Sequence, residues 1–103
     1  MKYSIALLTL TFALNASAGC PLLAPSEMPA IPDGNSASAD TMRSAMTQVQ
    51  EYVGTIEHLL ECRGVMLSSA YYEELLTSAE AAAGAFNEQL ALYRQRNGTI
   101  ASN

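Results

Sequence analysis

Two long stretches of the sequence repeat apolar residues at alternating steps of three and four, with only a few residues between the stretches. The first repeat is Met42, Met46, Val49, Val53, Ile56 and Leu60, and the second is Tyr72, Leu76, Ala79, Ala83, Phe86, Leu90 and Tyr93. This spacing places the side chains on one face of an α-helix. Because so short a connection forces two helices to be antiparallel neighbours, the pattern predicts an all-α fold, a coiled-coil-like antiparallel two-helix hairpin.

Polar residues and a glycine mark the ends of the first helix. Ser36 or Ser38 can cap its first turn, because a serine hydroxyl accepts a hydrogen bond from a free backbone N–H there. Gly64 follows Arg63 and readily takes the left-handed conformation that ends helices. We therefore expect the first helix to end at about Arg63.

The second helix has similar signals at its ends. It is expected to begin near Ser68 or Ser69 and to end at Asn97-Gly98. The prediction is a helical hairpin over residues 36–97, followed by a flexible C-terminal tail over residues 98–103.

Residues 19–35 form a proline-rich segment that cannot be regular secondary structure. Each proline removes a backbone donor and favours extended geometry in the residue before it. The segment also holds apolar side chains that a free linker would lack, so we predict an extended arm that lies against the helices. Its prolines are Pro21, Pro25, Pro29 and Pro32, and its apolar residues are Leu22, Leu23, Met28 and Ile31.

Residues 1–18 have the three parts of a secretory signal peptide. Lys2 supplies the positive charge, residues 5–14 form a short apolar run, and Ala16-Ser17-Ala18 fits the small-residue rule for cleavage. The run is shorter than the roughly 20 apolar residues that a membrane-spanning helix needs. We therefore expect cleavage after Ala18 and a periplasmic or secreted protein.

The charge of the remaining chain excludes some classes of partner. Lys2 is the only lysine, and it is lost with residues 1–18. The remaining chain has four arginines and ten acidic residues, which give a formal charge of −6. A protein that binds a nucleic acid or an anionic membrane surface needs clustered positive charge. The composition thus predicts no nucleic-acid partner and no membrane contact unless a lipid is attached.

Cys20 and Cys62 have two possible fates. In an oxidising compartment an even, sparse cysteine count favours a disulfide. The arm of about 16 residues spans about 50 Å when extended, more than the roughly 38 Å of a 25-residue helix, so it can reach Cys62. Alternatively, Ala18-Gly19-Cys20 suits a lipoprotein signal, with Cys20 as the lipidated N-terminus. Only the disulfide gives Cys62 a partner.

The residues that could carry chemistry form no strong pattern. His58 precedes Cys62 by four residues, with Glu57 and Glu61 beside it, but pairs at this spacing are common and no CxxC or HExxH motif is present. There is also no Ser/His/acid or Cys/His arrangement with a pocket. We predict no enzymatic activity, no metal site and no cofactor.

The apolar stripes suggest a function in protein interactions. They are wide enough that a monomer would expose part of them, and such patches usually mark a partner or self-association. We predict an interaction or structural protein, with a homodimer as one form. Alternatives are a metal- or pH-responsive binder using the hairpin tip at His58, and an envelope protein anchored through Cys20. The predicted interaction face is Met42, Met46, Val49, Val53, Phe86 and Leu90.

Several short features recur together in a known group of proteins. They are Cys20 with its proline-rich arm, Ile31-Pro32-Asp33-Gly34, Ala37-Ser38, Met42, Tyr52, Leu60 with Cys62, and Phe86-Asn87. In these the chain resembles a group of small exported bacterial helical-hairpin proteins of unknown function. The resemblance implies a periplasmic setting and supports pairing of the two cysteines, but it implies no activity.

Overall fold

The computed structural model of the protein describes the backbone of residues 19–102 and the side chains of residues 19–98. Helix α1 runs over Ala39–Arg63, a short 3-10 turn follows over Gly64–Met66, and helix α2 runs over Ser69–Ser102. The two helices pack against each other, and no strand occurs in the described residues. The predicted all-α helical hairpin is confirmed. The predicted signal peptide over residues 1–18 lies outside the described residues.

Ser38 is the residue that caps helix α1. Its hydroxyl oxygen accepts a hydrogen bond from the backbone N–H of Thr41 at 3.1 Å. Asp40 in the first turn forms an ion pair with Arg43 at 2.9 Å. Of the two serines that the sequence offered, the second therefore begins the helix, and the acidic residue lies where the helix dipole favours it.

Gly64 does not have the left-handed conformation that was predicted for it. Its φ and ψ are −53° and −37°, and the chain continues from it into the 3-10 turn. A Cβ at this position would lie 2.9 Å from Cε2 of Tyr72. A side chain here would therefore displace the ring of Tyr72, which is partly exposed. The next helix begins after Ser68, whose hydroxyl accepts from the N–H of Tyr71 at 3.1 Å.

Helix α2 is longer than the sequence predicted. It passes through Gly98 and ends at Ser102, so most of the predicted flexible tail over residues 98–103 is helical. A single glycine costs a helix only about 1 kcal/mol relative to alanine. A long helix already formed by tertiary packing can absorb that cost, and Gly98 does not stop it.

The core between the helices consists of two clusters along the hairpin. The cluster near the open end holds Met42, Ala45, Val49, Ala82 and Phe86. The cluster near the tip holds Ile56, Leu59, Leu75 and Ala79. The stripe predicted for α2 is partly confirmed, because Ala79 and Phe86 are buried as expected, whereas Leu75 and Ala82 are buried in place of Leu76 and Ala83.

The arm runs back along the hairpin to its tip, where the predicted disulfide joins Cys20 to Cys62 with a Cα–Cα distance of 6.0 Å. Ala24 packs on the tip cluster and Ile31 packs on the open-end cluster. Three other apolar residues of the arm were predicted to lie against the helices and do not. An extended chain turns some of its side chains away from the surface that it follows, and those turned outward are Leu22, Leu23 and Met28.

The end of the arm is fixed to α2 by polar contacts. The buried Gly34 donates its N–H to Oε1 of Gln89 at 2.8 Å. Arg96 donates from Nη2 to the carbonyl oxygen of Ala37 at 2.7 Å, and its guanidinium lies over the ring of Tyr93 at 5.1 Å. These contacts hold the arm on one side of the helix pair.

Candidate interaction groove

The hairpin has two grooves between its helices, and the arm occupies only one of them. On the arm side, Ile31 packs on the open-end cluster and Gly34 bonds to Gln89. The opposite side of the helix pair carries no such cover in the described part of the chain, and a groove about 360 Å³ in volume lies there. We call this the open groove.

Both helices contribute apolar side chains to the open groove. Its first part is lined by Met46, Val49, Val53, Phe86 and Leu90, among others. A second part of about 240 Å³ continues toward the hairpin tip and includes Ile56, Leu60, Leu76 and Ala79. Val53, Glu57 and Ala83 line both parts. The two parts therefore form one continuous apolar channel along most of the hairpin.

Five of the six residues predicted as an interaction face line the open groove. Val49 and Phe86 are buried and form its floor, Val53 and Leu90 are half-buried, and Met46 is 39% exposed at its edge. The sixth, Met42, is buried in the open-end cluster beneath the surface.

Two residues at the tip end of the groove were missing from the predicted face. Leu60 is half-buried and Leu76 is 37% exposed, and both line the second part of the groove. Both belong to the apolar repeats in the sequence. The two apolar repeats, taken over their full length, would therefore have predicted them. The predicted face included only residues from the half of the repeats farther from the tip.

The ionisable residues around the groove differ between its ends. Glu57 and Glu80 line it toward the tip. At the open end, Arg43 precedes Met46 by three residues and Arg94 follows Leu90 by four. Residues three or four apart share a helix face, so these arginines extend the groove beyond its apolar part. The groove is thus acidic toward the tip, and beyond its open end lie two arginines, of which Arg43 is paired with Asp40.

A second recess, of about 420 Å³, lies between the arm and helix α1. Ile31 and Pro32 form one wall, whereas the helix side is made mainly of small and polar residues. Those residues are Asp40, Thr41, Ser44, Ala45 and Gln48. The recess offers less apolar surface than the open groove and is less suited to an apolar partner.

The hairpin tip does not bring together the residues weighed as metal ligands. Cys62 is bonded to Cys20, so its sulfur is not a free thiolate, the form in which cysteine binds metals. His58 is half-buried in α1. Among residues 19–98 no group of three or more His, Cys, Asp and Glu side chains is placed to hold a metal ion.

None of the helices in the described residues is long and apolar enough to cross a membrane. Comparison of the chain with protein-family models, with curated proteins and with solved structures found no match. The function must therefore be inferred from the chain's own geometry, above all from the open groove.

Proposed function

We propose that this chain is an exported interaction protein that binds an apolar α-helix of a protein in its open groove. The observation that carries the proposal is the difference between its two grooves. One is covered by the chain's own arm through Ala24 and Ile31. The other leaves apolar side chains of both helices exposed, including Met46 on α1 and Leu76 on α2.

The dimensions of the open groove fit helix binding. It extends from about Met46 to Leu60 along α1, and 14 residues correspond to about 21 Å at 1.5 Å per residue. A helix of about four turns would cover that length. Grooves of this kind recognise helices by apolar side chains at steps of three and four.

Binding rather than catalysis suits the residues that line the groove. Besides apolar side chains, the described lining supplies the carboxylates of Glu57 and Glu80 and the amides of Gln50 and Asn87. It supplies no Ser, Cys or Thr nucleophile beside a base. We therefore assign the chain no enzymatic step and no cofactor.

The periplasm or the cell exterior is the compartment that we propose. The disulfide between Cys20 and Cys62 supports it, because such bonds persist in oxidising environments. The N-terminal sequence over residues 1–18 supports it as well, through its signal-peptide pattern. Lipidation is disfavoured, since a sulfur in a disulfide cannot also carry a thioether-linked lipid.

Site-specific photo-cross-linking in the native host tests the binding proposal. A benzophenone amino acid replaces Asn87, which lines the open groove, and in a matched variant it replaces the adjacent Glu88, which is exposed on the outer side of α2. We expect discrete protein adducts from position 87 alone. Equal labelling from both positions, or none from either, contradicts the proposal.

The intact mass of the protein from its native host tests the proposed compartment. We expect a chain that begins at Gly19, is lighter by two hydrogens than the reduced form, and takes no thiol label before reduction. A mass that retains residues 1–18, or one with acyl chains on Cys20, contradicts soluble export.

A further inference from the structure

The open groove has charged residues of opposite sign at its two ends. Glu57 and Glu80 line it near the tip. Glu61 follows Glu57 by four residues and Glu73 precedes Glu80 by seven, so both continue the same helix faces toward the tip. The acidic end therefore takes carboxylates from both helices.

The other end takes one arginine from each helix. Arg43 lies on the face of Met46, and its side chain is 68% exposed although it contacts Asp40. Arg94 lies on the face of Leu90 and is exposed. Between the charged ends lies the apolar channel, and small residues occupy its middle.

We propose that the open groove binds a second copy of this chain, with the two hairpins antiparallel and related by a two-fold axis. This rests on the proposed function and names the partner, whose two helices cover the groove together, with α1 opposite α1 and α2 opposite α2, rather than one helix lying between them. An antiparallel two-fold reverses the direction of the groove, so the acidic end of each copy meets the basic end of the other. Arg43 then faces Glu57 of the second copy, and Arg94 faces Glu73. Such self-complementarity is what a symmetric dimer interface requires.

The middle of the groove permits this approach. The axis crosses near Gln50 on α1 and Ala83 on α2, midway between the paired charges. Gly54 is exposed, and a Cβ built on it meets no atom within 4 Å. Met46 of the second copy can fill that space, because it lies the same distance from the axis on the other side. The apolar edges of both helices are thereby covered.

The whole hairpin face that carries the open groove, with its charged ends included, is close in area to what a stable dimer needs. Helix α1 has 25 residues, a length of about 38 Å, and two adjacent helices are about 20 Å wide. The face of one copy is therefore about 750 Å², compared with about 800 Å² per partner in a standard interface.

The parallel arrangement of the same two faces is disfavoured. A two-fold axis along the hairpin would bring the acidic tips together, with Glu57 and Glu80 of one copy next to those of the other. Like charges across an interface disfavour association. The charge pattern thus selects the antiparallel dimer, a four-helix bundle with an arm on each outer side.

The first test measures mass by sedimentation equilibrium. The full sequence is expressed in a bacterial host so that processing and disulfide formation occur, and the product is studied across the micromolar range. The wild type is expected to change from monomer to dimer with concentration, and Gly54→Glu to stay monomeric. Ala81→Glu, which adds the same charge on the exposed outer side of α2, is expected to dimerise like the wild type.

A wild-type chain that stays monomeric through the micromolar range overturns the second copy as occupant. The wider binding proposal is judged separately, because adducts from position 87 to a different protein would still support it. Circular dichroism of Gly54→Glu shows whether the hairpin is intact. If that variant does not fold, the dimer is tested by Arg94→Glu and Glu73→Arg instead, because these variants alter only exposed residues.

The second test exchanges charges between copies. Arg94→Glu and Glu73→Arg are each expected to weaken self-association about tenfold, because each places two like-charged pairs in its homodimer. An equimolar mixture restores both opposite-charge pairs, so the heterodimer is expected to recover near wild-type affinity. Single variants without effect, or a mixture no tighter than its parts, overturn the antiparallel arrangement.

Discussion

Gly34 is the single residue that decides where the arm meets the helices. It is buried, and its N–H donates to Gln89 at 2.8 Å. A Cβ built on it would overlap the backbone carbonyl oxygen of Gln89. Backbone atoms cannot yield as a flexible side chain can, so only glycine allows this approach, and the arm's position depends on it.

Gly34→Ala is predicted to destabilise the protein by about 1–3 kcal/mol, the usual cost of forcing an extra methyl group into a packed site. Urea unfolding at one low protein concentration measures the change. Gly84→Ala is the control, because a Cβ there meets no atom within 4 Å. That variant is expected to raise stability by up to about 1 kcal/mol through helix propensity. Equal effects from both would contradict the close contact between the arm and α2.

The ends and faces of the two helices show what local sequence can predict. The cap at Ser38 follows from a local hydrogen bond, and the sequence limited the candidates for the capping residue to two serines. The burial of Leu75 and Ala82 instead of their neighbours does not follow locally, because apolar residues are adjacent at Leu75-Leu76 and at Ala81-Ala82-Ala83. Either neighbour could face α1, and packing selects Leu75 and Ala82.

Ser38→Ala is predicted to lower the free energy of unfolding by about 1 kcal/mol, since the N–H of Thr41 loses the hydroxyl that accepts its hydrogen bond. Ser36→Ala provides the comparison, because Ser36 is exposed and lies before the cap. Its effect is expected to be within about 0.5 kcal/mol. Thermal unfolding of both variants measures the difference in stability. A larger loss of stability in Ser36→Ala than in Ser38→Ala would show that Ser36, and not Ser38, caps the helix.

Gly64→Ala is predicted to change stability by less than about 0.5 kcal/mol. The backbone there is right-handed, which alanine adopts freely, and the contact that a Cβ would make is with the ring of Tyr72. That ring is partly exposed and can move aside. A left-handed glycine would instead lose about 1–2 kcal/mol on the same change. Chemical denaturation of Gly64→Ala therefore distinguishes a right-handed from a left-handed backbone at the end of α1.

Long-range contacts complete a fold whose outline is visible in the sequence. The hairpin could be predicted from periodicity and the short connection, and the cysteine count favoured the disulfide over lipidation of Cys20, with an arm long enough to reach Cys62. The contacts of Gly34 with Gln89 and of Arg96 with Ala37 could not, because they join residues 55 and 59 positions apart. Nothing local to either partner indicates them. They determine which groove is covered, and hence which one remains open.

Reduction of the disulfide is predicted to destabilise the molecule by about 4 kcal/mol in the chain-entropy model, because the bond closes a loop between residues 42 positions apart. Urea unfolding with and without reductant measures this change. The denaturant slope is expected to rise as well, since an uncrosslinked unfolded chain exposes more surface.

The variant with both Cys20→Ser and Cys62→Ser should reproduce the reduced protein and should not respond to reductant. Without the bond the arm keeps its contacts at Gly34 and Ile31 but loses its fixed end at the tip. Hydrogen exchange is therefore expected to rise first around Ala24 and the tip cluster, and later near Gln89. A loss of stability below about 1 kcal/mol would mean that the bond does not constrain the unfolded chain as the loop length requires.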